Sequence, residues 1–149
     1  MKLSNLLLSI TAAFGLLAAP ALADTSIAGG AFAASHDVTS PNAAGAIITQ
    51  SANASPFATT GIVPQFSAAL PISGGSKYAL TGELQSRGDL GLGFGAGVGR
   101  LRNDGQVGMV YDFIAAAKVA PRTNLEARFY TGQKDQVGTA GFVGLRLTL

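Results

Sequence analysis

The 149-residue sequence holds no cysteine, no tryptophan and a single histidine, His36. Without cysteine there is no disulfide framework and no thiolate metal site. One imidazole excludes metal centres built on several, and no cofactor is expected. Charge is scarce too: Asp, Glu, Lys and Arg make up 12% of residues, about half the usual share. None falls between Asp37 and Lys77. The formal net charge is +2 with no block of Lys or Arg, which argues against a nucleic-acid partner. Disorder is excluded by an excess: 48% of residues are hydrophobic, whereas disordered chains are charged and apolar-poor. The length suits one domain.

Long apolar runs are missing, with one exception. Residues 1–23, MKLSNLLLSITAAFGLLAAPALA, carry an early Lys2 and an apolar run from Leu6 to Leu17. Pro20 follows, then the small-x-small triplet Ala21-Leu22-Ala23. That is the pattern of a cleaved secretory signal peptide. The run is shorter than the roughly 20 residues a membrane helix needs. The mature chain is expected to start at Asp24. After it no stretch is long enough for a membrane helix. Residues 24–149 are therefore either a soluble exported domain or one that enters a membrane as strands.

What is present is alternation. Tyr78, Leu80 and Leu84 share one face, and Lys77, Thr81, Glu83 and Gln85 the other. Leu90, Leu92, Phe94, Ala96 and Val98 oppose Gly91, Gly93, Gly95, Gly97 and Gly99. Val107, Met109, Tyr111, Phe113, Ala115, Ala117 and Val119 oppose Gln106, Asp112 and Lys118. Leu125, Ala127 and Phe129 oppose Asn124, Glu126, Arg128 and Tyr130. Val143, Leu145, Leu147 and Leu149 oppose Phe142, Gly144, Arg146 and Thr148. Period two is the signature of a strand. Turn residues separate the runs at 86–89, 102–105, 121–124 and 132–135, the second holding the hairpin-favouring pair Asp104-Gly105. Short turns join antiparallel neighbours, so residues 59–149 read as a β-meander.

Residues 24–58 are weakly specified. Small residues blur the faces of Thr25–Ala34 and Ala43–Ser51, and Pro64 interrupts the alternation of Thr60–Leu70, since proline cannot donate to a ladder. Three further strands bring the expected total to eight. His36–Asn42 and Pro71–Ser76 read as loops.

Within the strands, Lys77, Glu83, Asp89, Asp112, Lys118, Glu126, Arg128 and Arg146 all lie opposite the large apolar side chains. One face is apolar throughout; the other mixes glycine, small polar groups and balanced charge. A soluble sheet packed on a core and a membrane barrel, apolar outside and polar within, both fit this division. The barrel is favoured by glycine in place of the usual wet-face Lys and Glu. It is also favoured by strand length, since a tilted strand crosses a bilayer in about 9–11 residues.

These features together resemble the small outer-membrane β-barrel proteins of Gram-negative bacteria, of the eight-stranded, OmpA-like kind. The resemblance rests on the leader, the alternating hairpins and a strand running to the last residue. It implies an all-β, antiparallel, up-and-down transmembrane β-barrel over residues 24–149. It also implies a monomer in outer-membrane lipid, placed there by the barrel-insertion machinery. The family's C-terminal insertion signal maps onto Gly144, Leu145, Leu147 and Leu149, with leucine where family members end in an aromatic residue.

An eight-stranded barrel is just wide enough for its own side chains, so charges inside must pair. The expected interior network comprises Glu83, Glu126, Arg128 and Arg146, with Asp112 and Lys118 nearby, plugging the barrel and setting its register. The glycine stripe 91–99 serves either curvature or an open lumen. His36, Asp37 and Ser40 invite a catalytic reading, but three polar residues in one loop lack the geometry catalysis needs. The glycine spacing of GLGFGAGVG lies inside a strand, not at the strand–helix turn of a nucleotide site. The expectation is a non-enzymatic envelope or surface-interaction protein. A narrow porin-like channel and a soluble β-sandwich binding module are the alternatives.

Overall fold

A computed structural model of the chain describes residues 22–34, 43–52, 60–71, 77–102 and 104–149. They are all-β, with no helix among them. The strands are β1 (Leu22–Ala34), β2 (Ala43–Ala52), β3 (Ile62–Pro71), β4 (Tyr78–Ser86), β5 (Leu90–Arg100), β6 (Gly108–Ala120), β7 (Thr123–Gly132) and β8 (Thr139–Thr148). Each pairs antiparallel with its neighbour in the chain, and β1 closes on β8. The sheet is thus one closed barrel of eight strands, not a two-sheet sandwich. Of the expected leader only Leu22 and Ala23 are described, as the start of β1. The rest of it, the 35–42 and 72–76 loops, and His36, Asp37 and Ser40 lie outside the described residues.

The stagger follows from the register. Successive partners run from Asp24 through Ser51, Gln65, Glu83, Gly95, Asp112, Tyr130 and Ala140, and return to β1 at Ala34, ten residues further on. Eight strands with that stagger tilt by about 40° and enclose a backbone cylinder of about 8 Å radius. Such a cylinder has room for its inward side chains and little else.

Alternation sorts those side chains. Buried residues recur at every second position, as in the run from Ala79 to Gln85 on β4 and from Val110 to Ala116 on β6. The residues between them are the exposed ones, among them Leu84, Phe94, Phe113, Phe129 and Leu145. Pro64 does not stop β3. It lies just beyond the last β2–β3 pair, Ser51 with Gln65, where a missing N–H leaves no ladder bond unmade.

Among the described residues two connections are tight turns, both at one rim. At one rim β4 passes to β5 through residues 87–89, and β6 to β7 through Pro121 and Arg122 alone. Arg122 takes a left-handed φ of 61°, and Gly88 one of 136°. At the other rim Gly105 N–H donates to Arg102 O at 3.2 Å, the bond of the expected turn, but the turn sits within a longer connection. The connection spans residues 101–107 because Leu101 is drawn inward and buried. It bonds to the 133–138 connection through Leu101 N–H to Val137 O and Gln106 N–H to Gln136 O, each 2.9 Å. Tertiary pairing lengthens the connection on both sides of the turn.

The glycine stripe of β5 leaves no lumen, because β4 occupies the space. A Cβ on Gly95 would stand 2.6 Å from Glu83 Cγ, and one on Gly97 would overlap the Leu80 carbonyl. Gly29 faces outward, and a Cβ there meets nothing within 4 Å. Gly97→Ala should therefore lower stability by about 2 kcal/mol or more, whereas Gly29→Ala should stay within about 0.5 kcal/mol. Urea unfolding midpoints of the two variants check this; equal midpoints would refute the packing argument.

Candidate functional site

β7 samples the interior from rim to rim. Asn124, Glu126, Arg128 and Tyr130 point inward at successive levels, and each level has its own chemistry.

The middle level is ionic. Arg128 Nη1 donates to Glu83 Oε1 at 2.6 Å and to Asp112 Oδ2 at 2.7 Å. Its Nε donates to Glu126 Oε1 at 2.6 Å. All four side chains are wholly buried. Gly95 explains how carboxylates from β4 and β6 reach one nitrogen. It is the register partner of both Glu83 and Asp112, so no side chain stands between them.

Neutral groups bond the Glu83 carboxylate and one another. Thr81 donates to Glu83 Oε1 at 2.6 Å, and Gln65 Nε2 to Glu83 Oε2 at 2.8 Å and to Gln85 Oε1 at 2.9 Å. Thr49 and Ser67 share a hydrogen bond of 3.0 Å. Arg146 Nη1 donates to Gln85 Oε1 at 3.1 Å. It also stands 2.9 Å from Glu126 Oε2, out of line for a directed hydrogen bond, so that contact is an ion pair alone.

Two features mark strain in this level. It contains three carboxylates and two guanidiniums, one anion in excess. Asp112 Oδ1 and the Tyr130 hydroxyl, on register partners, are buried without a hydrogen-bond partner among the described residues.

The level toward the long connections is apolar. Phe32, Tyr130 and Phe142 pack together, with ring centroids 4.9 Å apart for Phe32–Phe142 and 6.2 Å for Phe32–Tyr130. Glycines make room for the rings: Phe32 lies against Gly45 and Phe142 against Gly144. Ile47, Val110, Leu101 and Val137 complete a buried cluster across the mouth. Below the ionic level, toward the short turns, the interior opens into a polar cavity of about 230 Å3.

Of the residues singled out by sequence, the barrel brings Glu83, Asp112, Glu126, Arg128 and Arg146 together. Lys118 stands apart. The last buried residue of β6 is Ala116, the register shifts between Lys118 and Ala120, and Lys118 is exposed at the rim. Alternation alone places it inside, but the buried run of β6 ends two residues earlier, at Ala116. Gly144 lines the interior, Leu145 and Leu147 face outward, and the Leu149 N–H bonds to Thr25 O at 2.9 Å. Sequence reading passed over the aromatic plug. Its signal was there: Tyr130 and Phe142 are large rings on the face that carries the charges.

Searches among protein families, characterised proteins and solved structures find no match to this chain.

Removing one partner of a buried ion pair costs about 3–5 kcal/mol, because the other charge is left unpaired. Arg128→Met leaves Glu83 and Asp112 without a cation and Glu126 with Arg146 alone, and should destabilise by at least that amount. Asp112→Asn keeps an acceptor for Arg128 and removes the excess charge, so it should cost under about 1 kcal/mol. Lys118→Ala should fall within about 0.5 kcal/mol. Chemical unfolding of the three variants gives the order; Arg128→Met no worse than Lys118→Ala would discard the network as the barrel's organising element.

Proposed function

We propose that this chain is a bacterial outer-membrane β-barrel protein, an up-and-down barrel embedded in lipid as a monomer. Its role is structural or one of surface interaction, without catalysis, and its interior is plugged. In this reading residues 1–23 export the chain and are removed, and the insertion machinery reads the last strand at Gly144, Leu145, Leu147 and Leu149.

One observation carries the reading. The outward face of the described strands bears no Asp, Glu or Lys, and its one Arg, Arg100, closes β5. Leu92, Phe94, Phe113, Phe129, Val143 and Leu145 are half-exposed around the wall. Phe94, Phe113 and Phe129 run as a chain of neighbouring rings, 5.5 Å and 6.5 Å between centroids. A water-soluble protein rarely exposes a continuous apolar patch beyond a few hundred Å2. Lipid removes the cost of this one, and closure of the sheet leaves no unpaired strand edge in the bilayer. At about 40° tilt, the about 25 Å band of such barrels needs ten residues per strand, the length found here.

The apolar plug supports a sealed barrel over a channel. Phe32, Tyr130 and Phe142 fill one level, and Leu101 and Val137 close the mouth above them. The protein should be recovered with outer membranes and migrate differently in SDS before and after boiling. In planar bilayers it should give no conductance steps. Recovery in the soluble periplasm without a heat-dependent shift would overturn the membrane assignment. Regular conductance steps would overturn the plug alone.

A further inference from the structure

The cavity of about 230 Å3 at the short-turn end holds chemistry that a plug does not require. Arg146 forms its inner wall with its side chain 11% exposed, and only Nη1 is engaged, by Gln85 and Glu126. The N–H groups on Nε and Nη2 have no partner among the described residues. Asn124 is the register partner of Arg146, and Ser26 that of Thr148, so an amide and two hydroxyls flank the guanidinium on the same wall. Arg87 stands at the rim, and Asp24 is the one carboxylate in the lining.

Arg146 is already paired with Glu126, and Arg87 is matched in charge by Asp24, so the choice of occupant rests on the unengaged donors of Arg146 and not on net charge. Among the described residues no aromatic ring lines the cavity. A guanidinium with a free edge, flanked by hydroxyl and amide donors, matches the fork geometry of carboxylates and phosphates. The volume equals that of roughly seven waters, enough for such a group with part of its hydration. We infer that this cavity is an oxyanion site, taking the carboxylate or phosphate of a small solute with Arg146 as its principal donor. The inference rests on the plugged barrel interior and is independent of whether the barrel resides in lipid.

The test is an amide-resolved NMR titration of the folded barrel with inorganic phosphate, at constant ionic strength, in a detergent without phosphate headgroups. Saturable shifts confined to residues 24–26, 85–88, 124 and 146–148 are expected. Arg146→Gln should weaken binding by roughly tenfold or more. Arg87→Gln and Asn124→Leu, which leave Arg146 and its partners in place, should each weaken it a few-fold. They decide the matter if Arg146→Gln fails to fold. Shifts that stay linear in phosphate, or that chloride reproduces, overturn the site. So does unchanged affinity in both Arg87→Gln and Asn124→Leu. Either failure leaves membrane recovery and the heat-dependent gel shift unaffected, so loss of the site and loss of the membrane reading are separately visible.

Discussion

The Arg128 guanidinium is the point on which the interior depends. It is the one cation within reach of Glu83, Asp112 and Glu126 together, and these arrive from β4, β6 and β7. A buried ion pair gains little net free energy over apolar packing, because desolvation offsets most of the attraction. Its effect is on choice. Any one-residue slip of a strand sends its inward set outward. At β4 a slip would carry Glu83 to the outer wall and leave Arg128 short of a partner. The network therefore fixes register in a barrel whose outer face, made of interchangeable Leu, Val, Ile and Phe, discriminates poorly between registers.

The glycines of β5 are the condition for that network. With no side chains of its own inside, β5 lets the Glu83 and Asp112 carboxylates meet over its backbone. The same device recurs on the far wall for apolar groups, where Gly45 and Gly144 receive the rings of Phe32 and Phe142. An interior of about 8 Å backbone radius is just filled by its own side chains, so large ones crowd one another. This barrel resolves the crowding by pairing large residues on some strands with bare backbone on others.

Period-two alternation made most of this readable in the sequence. From Tyr78 on, most large apolar residues lie opposite the charges, with Val110, Ile114, Tyr130 and Phe142 as exceptions, so strand positions, faces and five members of the ion cluster follow from spacing. β1 to β3 were less legible because Ala, Gly, Ser and Thr occupy both faces, and side-chain size no longer tells inside from outside. Lys118 shows the limit of the method. Alternation gives a side chain's face but not how far along the strand the enclosed interior extends. The neutral partners Thr49, Gln65 and Thr81 escaped too. Thr49 meets Arg128 across the barrel, which depends on the stagger of ten residues and is encoded in no local pattern, while Gln65 meets Glu83 as its register partner on β3 and Thr81 meets it two residues along β4.

Closure of β1 on β8 also has a mechanical side. Their ladder reaches the short-turn rim at Ser26 with Thr148, and Leu149 adds one more bond to Thr25. Tension applied outward at that rim, between the start of β1 and the end of β8, falls on the terminal bond of one ladder. Such a load peels bonds one after another, as a zipper opens, while the same ladder pulled along its length resists with all its bonds at once. The seam that completes the barrel is thus weak to peeling and strong to shear.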